Sequence, residues 1–227
     1  MGSMNDDFEG LPDALKKHVA TITEVSLDNK NQESLVESDF KVINFDAVKD
    51  HYRGALASND ALFFTWKPWQ GCNLFFLEFK NGFIRDEDNQ QLFDKIYDSV
   101  NILSDIACCN QFECMQVNPV GYLKARGAYI LVYNPKNKPY DEQFMTEKTR
   151  KGLKQQNYSS PDSVPAKNAR HGIGNHLARK AGSTFVLFGL NFFRGYLFKN
   201  VYTYTSDDFQ KECLNAWEKC AASAVKP

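Results

Sequence analysis

The 227-residue chain lacks the patterns that identify a membrane protein, a zinc protein or a nucleotide-binding protein. Its longest apolar run, residues 185–193, is interrupted by Asn191 and is too short to cross a bilayer. None of its six cysteines forms a CxxC pair, so a structural zinc site is not indicated. Gly172 and Gly174 precede no Gly-Lys-Ser/Thr sequence, which argues against a phosphate-binding loop there. With no signal peptide evident, we expect the cysteines to be buried, reduced thiols of a cytoplasmic protein.

The chain also lacks an excess of charge of either sign. Its net charge of −1 gives no reason to expect a nucleic acid or an acidic surface as partner. The charges are unevenly distributed, however: residues 148–180 contain eight Lys or Arg residues and one acid. A basic segment of this kind suits contact with a phosphate backbone, although an ordinary solvated loop has the same composition. The cations that we nominate for nucleic-acid binding are Lys148, Arg150, Lys151, Lys154, Arg170, Arg179 and Lys180.

The chain contains enough apolar and aromatic residues to form one well-buried core. Hydrophobic residues make up 43% of the sequence and phenylalanine occurs 18 times, which is typical of a folded globular protein. We therefore expect a single domain over residues 1–227, with residues 1–10 disordered. Residues 135–169 are polar and contain four prolines, so they are expected to form a mobile insertion.

Periodicity along the chain predicts the α/β (α+β) class, with a central mixed sheet flanked by helices. Strands are expected at residues 40–45, 127–133 and 184–190, in addition to the hairpin described below. Helices are expected at residues 11–25, 88–108 and 206–222, the last of them capped by Ser206. Two further helices are expected at residues 141–155 and 170–181.

Two apolar runs, residues 60–66 and 73–80, flank a turn-like segment and predict a β-hairpin centred on Trp69. In that register Asp60 faces Glu78, and Lys80 lies on the same face as Glu78 because side chains alternate along a strand. Two carboxylates so close together repel, which favours a divalent-metal site over a purely stabilising role. The simpler interpretation is a solvated Glu78–Lys80 ion pair that contributes under about 1 kcal/mol.

An aspartate at the start of one strand, a Glu-x-Lys at the end of the next and an amphipathic helix after it resemble the PD-(D/E)XK nuclease superfamily. This is the fold of restriction endonucleases and of many repair and recombination nucleases. The resemblance spans about residues 40–134, and its motif consists of Asp60 and the sequence Glu78-Phe79-Lys80, followed by the predicted helix. Asn59 stands where the superfamily often has a proline.

The resemblance implies a chemistry for each residue of the motif. Asp60 and Glu78 would coordinate Mg²⁺ or Mn²⁺ through oxygen. Lys80 would orient the attacking water or stabilise charge in the transition state, so the implied catalytic residues are Asp60, Glu78, Lys80 and Gln91. Gln91, or its neighbour Gln90, would help to position the substrate at the start of the helix.

Other residues could complete such a site. Lys95 is a further candidate on the same predicted helix. Glu33 and Glu37 are candidates for the additional glutamate that often completes the metal site in this superfamily.

The resemblance implies a Mg²⁺-dependent hydrolase that cleaves phosphodiester bonds, with DNA rather than RNA as its substrate. The alternative is a non-catalytic interaction protein with a protein partner, such as an immunity or antitoxin-like protein or an eroded nuclease-fold module. The pI of 6.4 favours the alternative, because stand-alone DNA-binding domains are often basic. Neither interpretation requires a membrane.

Overall fold

A computed structural model of the chain describes residues 11–52, 56–67, 71–82, 88–109, 115, 118–134, 186 and 188–224. Its central element is a six-stranded mixed sheet flanked by helices, which confirms the predicted fold class. In order across the sheet, the strands are β1 (Val19–Thr21), β4 (Lys41–Asn44), β5 (Ala61–Lys67), β6 (Gly71–Lys80), β7 (Gly127–Tyr133) and β8 (Asn200–Thr205). A separate two-stranded hairpin consists of β2 (Leu27–Asp28) and β3 (Glu33–Ser34).

The helices lie before the first strand, in the connections between strands and after the last strand. The α-helices are α1 (Asp13–Lys16), α2 (Ile22–Val25), α3 (Phe45–Lys49), α4 (Asp88–Cys109), α5 (Pro119–Arg126), α6 (Ser206–Phe209) and α7 (Asn215–Ala224). A 3₁₀ turn occupies Leu190–Phe193, and a π-helical stretch, Gln210–Leu214, joins α6 to α7.

The sheet has an antiparallel half and a parallel half. Strands β1, β4, β5 and β6 pair antiparallel, whereas β7 pairs parallel to both β6 and β8. Parallel neighbours need a crossover connection, and α4 with α5 provides the one between β6 and β7. All seven residues of β7 are buried, as expected for a strand covered on both faces.

Side-chain alternation divides the core between the two faces of the sheet. On the first face, Leu62, Phe76 and Tyr129 belong to the same buried cluster as Leu92 and Ile96 of α4. On the second face, the strand residues cluster with side chains of the C-terminal helical run, and the buried members include Phe63, Leu77, Ile130, Phe209 and Leu214. The partly buried Trp217 packs against this cluster.

The hairpin register is the one that the sequence predicts. Leu62 pairs with Phe76, and Phe64 pairs with Leu74. The helix expected at residues 88–108 and the strand expected at residues 127–133 are also present, as α4 and β7. The strand expected at residues 40–45 is present as β4.

The expectation of one helix over residues 11–25 is wrong. The chain forms α1, leaves it for the short strand β1 and then re-enters a helix at α2. Thr21 starts α2 through a capping box, in which its side chain accepts from the Glu24 N–H and Glu24 accepts from the Thr21 N–H. Pairing of Val19–Thr21 with β4 outweighs the helical pattern that the segment presents in isolation.

Three smaller expectations also need correction. No strand occupies the described part of residues 184–190, because Phe188 and Gly189 have φ angles of 57° and 70° that extended backbone does not adopt. The last helix is capped by Thr205, whose hydroxyl accepts from the Asp208 N–H at 3.1 Å, and not by Ser206. Cysteines 108 and 109 at the end of α4 are exposed, not buried.

Several expectations fall outside the described residues: the disordered residues 1–10, the insertion at 135–169 and the helices at 141–155 and 170–181. Within the part of the chain that the structure describes, no helix is long and apolar enough to span a membrane.

Candidate functional site

A cleft of about 610 Å³ opens at the carboxyl end of β6, beside the first turns of α4. One wall consists of residues 25–31, which comprise β2 and the residues on either side of it. The opposite wall carries polar side chains from four different parts of the chain: Asp46, Asp60, Lys80, Asn81, Gln91 and Lys95. Asp60 and Lys80 of the predicted motif therefore line the cleft, whereas Glu78 is buried behind its wall.

Asp60 is fixed at the point where the chain enters β5. Its Oδ2 atom accepts a hydrogen bond from the Phe79 N–H at 2.6 Å, and its backbone carbonyl accepts from the Phe45 N–H at 3.0 Å. The side chain is 14% exposed, so it reaches the cleft while remaining largely desolvated. These bonds hold the Asp60 carboxylate against the end of β6.

Glu78 and Lys95 meet this carboxylate from β6 and α4. The Glu78 side chain is fully buried, and Lys95 Nζ donates to its Oε1 and Oε2 atoms at 2.8 and 3.0 Å. The same ammonium donates to Asp60 Oδ1 at 3.0 Å. Lys80 Nζ lies 3.2 Å from Glu78 Oε1. The structure thus brings the predicted Asp60, Glu78 and Lys80 together, with Lys95 at their centre.

The electrostatics of this cluster follow from burial and from the proximity of like charges. Burial, and then repulsion from Glu78, raise the pKa of Asp60 to about 7, although Lys95 and the Phe79 N–H act in the opposite direction. Burial alone would lower the pKa of Lys95, but the charges of Glu78 and Asp60 outweigh it and raise the pKa above its ordinary value. Lys95 therefore remains an ammonium throughout the physiological pH range.

Asp46 is a further carboxylate that lines the cleft, and no pattern in the sequence indicates it. It lies in the first turn of α3, where it accepts a hydrogen bond from the Ser58 hydroxyl and pairs with Lys49 at 3.2 Å. Its role depends on how α3 packs beside the segment before β5, which no local pattern encodes.

The segment before β5 is anchored to α4 through Asn59, at the position where the resembled superfamily often has proline. The Asn59 N–H donates to Ser99 Oγ at 2.8 Å, and that hydroxyl donates to Asn59 Oδ1 at 3.1 Å. Both residues are buried. This reciprocal pair fixes the approach of Asp60 to the helix that carries Lys95.

The remaining candidates lie in different places. Gln91 is exposed and lines the cleft, whereas Gln90 donates to Asp94 at 2.7 Å. Glu33 lies in β3 and Glu37 lies in a loop. Both are exposed and neither lines the cleft, so neither completes the site as the additional glutamate. The basic residues Lys148, Arg150, Lys151, Lys154, Arg170, Arg179 and Lys180 lie outside the described residues.

The carboxylate oxygens of Asp60 and Glu78 are of the type that a hard divalent cation prefers, but an ammonium group lies where they meet. Asp60 Oδ1 and both Glu78 oxygens converge on one point, where the Lys95 ammonium lies. Carboxylate oxygens are ligands that Mg²⁺ prefers, and Mg²⁺ commonly keeps several waters beside one or two carboxylates. A metal ion at this point would replace the Lys95 ammonium. Among the described residues, no group of three or more Asp, Glu, His or Cys side chains could hold a metal.

Comparisons with known proteins add no relative from which a role could be transferred. No protein-family model, no curated protein and no solved structure matches this chain.

Proposed function

We propose that the chain is a Mg²⁺- or Mn²⁺-dependent nuclease of the PD-(D/E)XK type, with the site formed by Asp60, Glu78 and Lys80. The observation that carries the proposal is the convergence of the Asp60 and Glu78 carboxylates on one cation position, beside Lys80. Asp60 and Lys80 line an open cleft, and Glu78 is buried directly behind them. The hairpin of β5 and β6 is followed along the chain by α4, which is the order of elements in the resemblance.

The residues of the chain would have distinct tasks. Asp60 and Glu78 would hold the metal ion, which when bound supplies polarisation of the phosphodiester and a more acidic attacking water. Lys80 is 27% exposed beside Glu78, a position from which its ammonium can orient that water or stabilise charge that develops on the phosphate. Gln91, exposed at the cleft, would contact the substrate.

A specific observation favours a second candidate, a non-catalytic binding module. Lys95 occupies the cation position itself, with hydrogen bonds to three carboxylate oxygens. In that case Lys95 is a permanent counter-ion of the two carboxylates, and the cleft binds a partner without catalysing a reaction.

The nuclease proposal is tested with plasmid DNA and single-stranded DNA and RNA in Mg²⁺, in Mn²⁺ and in EDTA. We expect metal-dependent cleavage of DNA, reduced at least about a hundredfold by Asp60→Asn and by Glu78→Gln, because each removes a ligand charge. Gln91→Ala should reduce cleavage more than the matched Gln90→Ala. Cleavage that persists in Asp60→Asn, or its absence in the folded wild-type protein with both metals, contradicts the proposal.

Substitution of Lys95 distinguishes the nuclease from the non-catalytic binding module. If the carboxylates bind metal, Lys95→Gln removes the competing ammonium and should tighten Mn²⁺ binding measured by calorimetry, and Glu78→Gln should abolish it. If the cluster is only a buried ion pair, neither the wild-type protein nor Lys95→Gln binds Mn²⁺ in a manner sensitive to Glu78→Gln.

A further inference from the structure

A second cluster of ligand-type side chains lies outside the cleft, where two histidines meet. His18 follows α1 and His51 follows α3, 33 residues further along the chain. Their Nε2 atoms are 3.1 Å apart, and their ring centroids are 4.9 Å apart with the planes inclined at 63°. Both rings therefore direct the same nitrogen towards one common point.

The backbone holds both histidines in place. The His18 N–H donates to the Leu15 carbonyl at 3.0 Å, and the His18 carbonyl accepts from the Asn44 N–H at 2.8 Å. The His51 N–H donates to the Val48 carbonyl at 3.2 Å. The first histidine is thus tied to the end of β4 and the second to the end of α3, which directly follows β4.

We propose that His18 and His51 bind a divalent transition-metal ion, of the class Zn²⁺, Ni²⁺, Co²⁺ or Cu²⁺, through their two Nε2 atoms. Zinc–nitrogen bonds of about 2.0–2.1 Å in a tetrahedral shell place two ligand nitrogens about 3.3 Å apart. The observed separation of 3.1 Å is close to this value. Imidazole suits these ions, whereas Mg²⁺ and Ca²⁺ prefer oxygen.

A histidine binds a metal ion through the lone pair of its neutral ring. Lys17 and Asp50 both lie close enough to His18 to interact with it electrostatically. Asp50 provides a negative charge near the bound cation, and Lys17 provides a positive one that limits the affinity. Within the described ranges no third protein ligand joins the pair, so water would complete the shell.

The bound ion would link the turn between α1 and β1 to the end of α3. It would thereby fasten the N-terminal edge of the sheet, because β1 pairs with β4 and α3 begins directly after β4. This site is separate from the cleft, which α3 borders with Asp46 in its first turn, whereas His51 lies beyond its last residue.

The test uses the full chain without a polyhistidine tag at pH 7.5, titrated with Zn²⁺, Ni²⁺ or Mg²⁺. We expect micromolar Zn²⁺ and Ni²⁺ to raise the midpoint of thermal unfolding and Mg²⁺ at the same concentration to leave it unchanged. His18→Gln and His51→Gln should each weaken Zn²⁺ binding at least about tenfold, because one of two protein ligands is lost. His171→Gln serves as the matched control and should retain it.

Nitrogen NMR of the imidazole rings keeps the proposal testable even if a variant unfolds. Zn²⁺ should shift the Nε2 resonances of both His18 and His51 in the wild-type protein. The proposal is overturned if these resonances do not respond to Zn²⁺, or if Zn²⁺ affinity is unchanged in His18→Gln. In that outcome the two rings share only a hydrogen bond.

Discussion

Lys95 donates to three carboxylate oxygens, and its side chain is only 21% exposed. Because Glu78 is fully buried, removing the ammonium leaves a desolvated carboxylate with Lys80 as its remaining ion-pair partner. We expect Lys95→Met to lower the free energy of unfolding by about 3 kcal/mol, measured by urea denaturation at pH 8.

Lys49→Met is the matched control for this variant. Lys49 pairs with Asp46, whose side chain is 48% exposed, so the loss should be under about 1 kcal/mol. Equal losses in the two variants would contradict the role assigned to Lys95 as the counter-ion of a buried acid.

Asp60 gives the stability of the metal-free protein a defined pH dependence. Burial and repulsion from Glu78 raise its pKa to about 7, so the native state keeps a proton that the unfolded chain releases near pH 4. The contribution of Asp60 to stability is therefore fully present below about pH 4 and is lost as the pH rises through about 7. Urea denaturation in EDTA from pH 5 to pH 8 should show the wild-type protein losing stability relative to Asp60→Asn. A pH-independent difference would contradict the raised pKa.

The positions of some site residues could be predicted from the sequence, and those of others could not. Asp60, Glu78 and Lys80 could be grouped because strand alternation and a short turn determine their relative positions. Lys95 lies three residues after Leu92 and four before the buried Ser99, so it belongs to the inward stripe of α4. Its pairing with both acids could not be predicted, because that depends on the rotation of α4 against the sheet.

At the scale of elements, α5 was missed although its start is encoded locally. Asn118 precedes Pro119, and the Asn118 side chain accepts from the Gly121 N–H at 2.7 Å. A side-chain cap followed by proline at the first helical position is a strong helix-start signal. By contrast, the false strand at residues 184–190 arose from an apolar run whose backbone turns through positive φ.

The cap of α5 gives a prediction at this scale. Asn118→Ala removes the only acceptor that this side chain offers to the Gly121 N–H and should destabilise the protein by about 1 kcal/mol in urea denaturation. Asn118→Asp keeps an acceptor oxygen and adds a negative charge at the helix start, so it should remain close to wild type. Equal destabilisation by both variants would show that the cap is not the cause.

At the scale of the whole molecule, the sheet joins two cores, and the partly buried Trp217 packs against the second. Its ring centroid lies 4.7 Å from that of Phe63, 5.1 Å from that of Phe75 and 5.7 Å from that of Phe209. These contacts link α7 to the antiparallel half of the sheet and to α6. The sequence indicated that a C-terminal helix exists, but not which face of the sheet it covers, because such long-range packing leaves no local pattern.

We expect Trp217→Ala to lower the free energy of unfolding by about 3 kcal/mol, because it leaves a cavity among aromatic rings. Trp217→Phe should lose less, and Phe192→Ala, at a side chain that is 60% exposed, should lose under about 1 kcal/mol. Urea denaturation followed by circular dichroism measures all three. A loss in Trp217→Ala no greater than that in Phe192→Ala would contradict the packing of α7 on the sheet.

The parallel pairing of β7 with β8 has a consequence for synthesis of the protein on the ribosome. Every residue of β7 is buried, yet its outer hydrogen-bonding partner, β8, is made last among the strands in the described part of the chain. Until residue 205 has left the exit tunnel, the nascent chain presents an apolar strand with an open edge, a known template for aggregation. We therefore expect a premature stop before residue 200 to yield insoluble polypeptide, with every residue of the cleft already translated.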